Sequence, residues 1–324
     1  MIKRLYIIGN GFDLHHGLKT SYFDFSEYLQ ENYNELYNIL ESYIYCSSPD
    51  NCLWSKFEEN LANLDVEEIL SENTDRLPDY ASDDFRDRDR HVFPDIMGEY
   101  HRKLTEGLLE TFKRFIQDVE ISKKAFQYKI NLDTTATFLT FNYTNTLERL
   151  YNIHRNKITY IHNSAFETDD IFLGHGTDPE KFEEKKPVPP NGLTEEECER
   201  WYEEHDSYDY SYDTGKETIM KYYKDTFKPT NEIIIRHNSF FSKLIEIDEV
   251  NILGHSLSNV DLPYFKEIVK HIKPSVNWNV SYYDNKEIKS HLKSLLELGL
   301  NEQNIILFEM EDQLINNKQL KINF

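Results

Sequence analysis

The first apolar run of the chain ends in Gly9-Asn10-Gly11-Phe12-Asp13. A glycine pair after a strand lets backbone approach a phosphate closely, and the N-terminus of a following helix favours an anion. The dinucleotide fingerprint G-x-G-x-x-G is not met, because position 14 is Leu14 and the next glycine, Gly17, comes too late. A tight turn that needs glycine is the plain alternative. Asp13 sits just beyond, where a ribose hydroxyl could meet a carboxylate. A second run ends in Phe141-Asn142-Tyr143-Thr144-Asn145. Asn142 offers both an acceptor and donors, whereas Thr144 or Asn145 can simply cap the next helix. Tyr160-Ile161-His162-Asn163 puts a histidine, a base near neutral pH, after a third run. A structural histidine tied to a loop is the other reading. Leu173-Gly174-His175-Gly176 reads equally as pocket lining around His175 or as a turn. The fifth string, Gly254-His255-Ser256-Leu257-Ser258-Asn259-Val260-Asp261, superficially resembles the serine-hydrolase elbow G-x-S-x-G but lacks its last glycine. It fits a strand, a polar turn and a helix from about Val260, with His255, Ser256 and Asp261 near a nucleotide.

The elements that must position these residues follow from periodicity. Residues 2–8, 136–142, 159–162, 171–173, 250–253, 278–283 and 305–308 are short, apolar and β-prone. Helical spacing is expected from about Thr20, then at 144–153, 231–247, 260–273 and 286–298. Strands alternating with helices predict an α/β fold with a doubly wound, mostly parallel sheet. In such a sheet, ligands bind outside the carboxyl ends of the strands. Residues 31–130 read as a large helical insertion, with a solvated, mixed-charge stretch at 79–90. Residues 177–228, with Pro187-Val188-Pro189-Pro190 and Glu195-Glu196-Glu197, read as an acidic surface arm or lid. The whole is expected as one domain with two insertions.

Composition narrows the classes. The chain has 324 residues, 39% hydrophobic and 29% charged, which fits a folded globular protein. A net charge of −22 argues against general binding to duplex nucleic acid and to anionic membranes. Three cysteines without a C-x-x-C make a disulfide framework or cysteine zinc site unexpected. No H-x-x-x-H or H-E-x-x-H occurs, so no metal site is expected. The apolar run at 5–8 is too short for a signal-peptide core and no apolar stretch is long enough to span a membrane, so a cytoplasmic protein is expected.

In order, IIGNGFDLHHGLKTSYFDF (7–25), FLTFNYTNTLERLY (138–151), YIHN (160–163), FLGHG (172–176) and ILGHSLSNVDLPYF (252–265) resemble the AbiH family of bacterial phage-defence proteins. One position departs: the family usually has glycine after the third motif's histidine, and here it is Asn163. The pattern is similar, more faintly, to sirtuin-like NAD-consuming domains. That likeness implies that Gly9 and Gly11 cradle phosphates, that Asn142 orients the nicotinamide ribose or a water, that His162 is the general base and that Ser256 contacts ribose or phosphate.

Three functions follow as expectations. The first is hydrolysis of the N-glycosidic bond of NAD, or of a related nucleotide, in abortive infection. The second is a non-catalytic nucleotide-binding sensor or scaffold that docks a defence-system protein partner or phage trigger. The third is a metal-dependent nuclease resting on Asp13 and Asp261, against which the net charge counts. Defence proteins of this kind often assemble, which makes a homo-oligomer the expected state and the helical segment a candidate interface. NAD enters as ligand or substrate; no prosthetic group is expected.

Overall fold

A computed structural model describes residues 2–46, 53–184, 188–190, 192–205 and 209–314. Six strands form one all-parallel sheet: β1 (Arg4–Ile8), β2 (Thr137–Thr140), β3 (Ile158–Tyr160), β4 (Glu249–Leu253), β5 (Asn277–Tyr282) and β6 (Ile305–Glu309). Their order is β3-β2-β1-β4-β5-β6, that of the doubly wound dinucleotide-binding sheet. β1 pairs with β2 through Ile8 and Thr140 and with β4 through Ile8 and Leu253, so these three strands end level. The order reverses between β1 and β4, which makes their carboxyl ends the switch point of the sheet. Leu5 and Ile7 pack into one core, while Tyr6 and Ile8 pack into another on the opposite face. A strand buried on both sides has to be apolar throughout, which is why β1 was readable as a run.

The connection from β1 to β2 is helical: α1 (Asn10–His15), α2 (Tyr22–Asn32), α3 (Asn34–Tyr43), α4 (Phe57–Asn60), α5 (Val66–Glu72), α6 (Val92–Arg102) and α7 (Leu108–Asp118). Ser21 and Asp24 form a reciprocal capping box that starts α2. α1 was not expected; the chain turns helical directly after Gly9, whose extended backbone forms its N-cap. Between β2 and β3 lies α8 (Thr146–Tyr151).

The segment from β3 to β4 carries α9 (Glu195–His205), α10 (Tyr210–Met220), α11 (Tyr222–Asp225), α12 (Thr230–Arg236) and α13 (Asn238–Phe241). Within it, α10 and α11 are built into the helical layer. Gly215 sits so close to α6 that a Cβ there would stand 2.5 Å from Phe93. The Tyr222 and Tyr223 hydroxyls donate to the carbonyls of Leu61 and Leu64. Ile219, Tyr222 and Tyr223 thereby join the helical core of Phe25, Phe57, Phe93 and Phe112. Pro187, residues 206–208 and Cys52 lie outside the described residues. The β-prone residues 171–173 stay out of the sheet: the Phe172 amide donates to the His162 carbonyl, and its carbonyl accepts the Tyr143 hydroxyl. The helix expected at 231–247 breaks at His237 into α12, α13 and a 3-10 turn. α14 (Leu262–His271) and α15 (Asn285–Glu297) then complete the layer beside β4 to β6. Among the described residues, no helix is long and apolar enough to cross a membrane.

Candidate functional site

Two turns nest at the switch point. The Gly9 amide donates to the Leu253 carbonyl, the Gly11 amide to the Gly254 carbonyl, and the Phe12 amide back to Gly9. A Cβ at Gly9 would lie 2.6 Å from the Gly254 oxygen, and one at Gly254 would lie 2.1 Å from the Phe12 nitrogen. The glycines therefore let the β1 and β4 turns pass within backbone contact. Their amides are used inside the fold, which removes them as a ready phosphate cradle. Asn10 closes the turn through Thr20: its amide donates to the Thr20 carbonyl and its oxygen accepts the Thr20 hydroxyl.

A cavity of about 560 Å³ opens above these turns. Its floor collects Asp13 from α1, Asn142 and Thr144 from the turn after β2, and His162 from the turn after β3. The turn after β4 adds His255, Ser256 and Asp261. Asn142 donates its side-chain amide to the Gly9 carbonyl at 3.1 Å, which fixes its oxygen as the outward atom. Asp13 is fully buried and accepts the Thr144 hydroxyl at 2.6 Å. Burial pushes its carboxyl up to about 6, against the pull of the Thr144, Thr146 and Asn142 hydrogen bonds. Among the described residues, Asp13 Oδ1, Asn142 Oδ1, His162 Nε2 and Asp261 Oδ1 have no hydrogen-bond partner.

His162 is kept neutral. Burial drives its imidazole well below the usual value, the Lys228 ammonium adds to this, and Asp261 opposes it. Its Nε2 lies 3.7 Å from Asp261 Oδ1. His255 accepts the Leu257 amide at Nδ1, so its proton sits on Nε2, 3.5 Å from Asp261 Oδ2. Ser258 donates to the same carboxylate. Burial alone would raise Asp261, but the Lys228 ammonium and the hydrogen bond from His255 hold it far below the ordinary carboxylate range. From the helical layer, Glu58 lines the cavity and accepts Lys228 Nζ at 2.5 Å; Lys228 Nζ is also 4.0 Å from Asp261. Among the described residues, no three His, Cys, Asp or Glu side chains gather as a metal-holding group.

The sequence profile of bacteriophage abortive infection AbiH matches residues 5–282. The chain belongs to the AbiH family. It is thus a phage abortive-infection protein. A search of curated proteins finds no significant match.

In this AbiH chain, Gly9, Asn10, Gly11, Asp13, Asn142, His162, His255, Ser256 and Asp261 all line the one cavity. His175 sits elsewhere, fully buried against Phe182, Tyr223 and Phe227. Its backbone bonds to Thr226 and Lys228, and a Cβ at Gly174 would lie 2.0 Å from the Thr226 oxygen, so this motif clasps the returning chain. Asn163, where the family usually has glycine, takes a left-handed conformation with φ 62°. Asparagine tolerates that left-handed region better than most residues, and here its amide also donates to the Asp170 carbonyl. Sequence reasoning missed Tyr22, Glu58 and Lys228. Glu58 stands in Phe57-Glu58-Glu59-Asn60, which reads as an ordinary solvated helix face, and Lys228 carries no motif at all.

Proposed function

We propose that this AbiH protein binds NAD or a related nucleotide in the switch-point cavity and hydrolyses its N-glycosidic bond. The reading is carried by the run of buried acceptors with no partner among the described residues: Asp13 Oδ1, Asn142 Oδ1 and His162 Nε2. Buried acceptors require donors, and ribose hydroxyls supply several on one rigid ring. The lining is also anionic at Glu58 and Asp261, which suits a ribosyl cation and opposes a phosphate held at the same depth. Ser256 and Lys293 lie farther out along the lining, where a pyrophosphate would be accommodated. His162, neutral and with its Nδ1 proton held by the Phe141 carbonyl so that Nε2 accepts, is the base for the attacking water. Asp261 at 3.7 Å stabilises the imidazolium that forms. The likeness to sirtuin-like domains, which rests on the sequence motifs, points the same way.

The test is nicotinamide release from NAD by the purified chain, alone and with phage components. His162→Ala should lower release by at least about a hundredfold. No release in any state, with His162→Ala defending cells as well as the native chain, refutes the reading. A second reading, a nucleotide sensor without turnover, draws on Asn163, which stands beside His162 where the family usually has glycine. It calls for a saturable thermal shift with nucleotide and intact nucleotide afterwards.

A further inference from the structure

Glu58 reaches the cavity from outside the sheet and outside every motif, carried by α4 of the helical layer. Two separate segments hold its carboxylate: the Tyr22 hydroxyl donates to Oε1 at 2.6 Å and Lys228 Nζ donates to Oε2 at 2.5 Å. The Tyr143 hydroxyl, whose proton goes to the Phe172 carbonyl, stands 3.4 Å from Oε1. Both tyrosines stay protonated, since burial and the nearby Glu58 charge push them far above their ordinary value. A buried ion pair is weak support for stability, because apolar pairs of similar volume often do as well. Two donors from different segments, one on each oxygen of a cavity-facing carboxylate, instead fix its direction. The Tyr143 ring also stacks on His162 at 6.0 Å between centroids, so Glu58 shares the space of His162 and Asp261.

We propose that Glu58 is a catalytic carboxylate of this site, facing the ribose carbon from which the base departs. The inference rests on the N-glycosidic reading above. The C1′–N bond breaks with its electron pair going to the nicotinamide nitrogen, so nicotinamide leaves neutral. Positive charge builds on C1′ and the ring oxygen, where a fixed, desolvated carboxylate stabilises it. Water oxygen then bonds to C1′ and passes its proton to His162 Nε2, from which it returns to solvent. The products are ADP-ribose, nicotinamide and one proton, and Glu58 is unchanged.

Glu58→Gln keeps the shape and removes the charge. On the full chain, kcat for nicotinamide release should fall by about a hundredfold or more while KM stays within about threefold. Tyr22→Phe removes one hydroxyl from the carboxylate and should lower kcat about tenfold, with KM kept and the chain still folded. This second variant decides the matter where Glu58→Gln fails to fold. Native kcat in either folded variant overturns the role of Glu58 and leaves the N-glycosidic reading standing. No nicotinamide release by the unaltered chain, alone or with phage components, overturns that reading and the role of Glu58 with it.

Discussion

Gly254→Ala is the sharpest test of how the site is built. Gly254 has φ 64°, so any side chain there takes on the left-handed penalty of about 1–2 kcal/mol. The new methyl would also lie 2.1 Å from the Phe12 nitrogen and 2.4 Å from the Gly11 carbonyl carbon. Both are backbone atoms, so no rotamer change relieves the clash. The β1 and β4 turns must separate, weakening the Gly11–Gly254 bond of 2.7 Å and the Gly9–Leu253 bond of 3.0 Å. Each is worth about 0.5–1.5 kcal/mol. The total cost is therefore about 2–5 kcal/mol. Gly17→Ala supplies the control: φ is 72°, but its methyl meets nothing within 4 Å, so only the conformational penalty of about 1–2 kcal/mol applies. Urea unfolding followed by circular dichroism measures both. If Gly254→Ala loses no more stability than Gly17→Ala, the nested turns do not organise the switch point.

Two further outcomes follow from the buried charges. Asp13 binds its proton more tightly in the fold than in the open chain, so its contribution is full below about pH 4 and is lost as pH rises through about 6. A carboxyl raised from 3.8 to about 6 costs roughly 3 kcal/mol at neutral pH, so Asp13→Asn should stabilise the protein there and flatten that part of the stability–pH curve. A destabilised Asp13→Asn variant at pH 8 would contradict this. Lys228→Met strands the Glu58 and Asp261 charges and should cost about 3–5 kcal/mol in urea unfolding. Adding Glu58→Gln to it should recover part of that loss, and purely additive losses would show that the pair is not coupled.

The sheet was legible because a parallel strand buried on both faces has to be apolar, and its polar end marks where solvent or ligand begins. β1, β2, β4 and β5 were found within a few residues on that rule, and β6, an edge strand with no buried residue, by its β-prone apolar run alone. Residues 171–173 satisfied it without joining the sheet: Ile171 is buried against the helical core instead. The glycine pair was visible but its reason was not. Gly9 and Gly11 look like a phosphate turn in isolation, and the atoms that demand glycine belong to Gly254 and His255, far along the chain. Glu58 and Lys228 were invisible for the same reason in stronger form. They meet across 170 residues, and neither has a local pattern that distinguishes it from a surface charge.

That long-range meeting bears on how an abortive-infection protein is kept in check. The segments just after the strands supply the acceptors on the cavity floor, whereas Tyr22 and Glu58 come from the helical connection between β1 and β2 and Lys228 from the segment leading back to β4. On the proposed reading, the charge facing the ribose is therefore set by how the helical layer sits on the sheet. Lys228 is fully buried and holds Glu58 while standing beside Asp261. A small displacement of α4 would lengthen a charge-assisted bond of 2.5 Å and change the electrostatics of the floor without moving a single sheet residue. On that reading, hydrolysis would depend on the register between the two layers, and a trigger acting on the helical layer would have leverage over it.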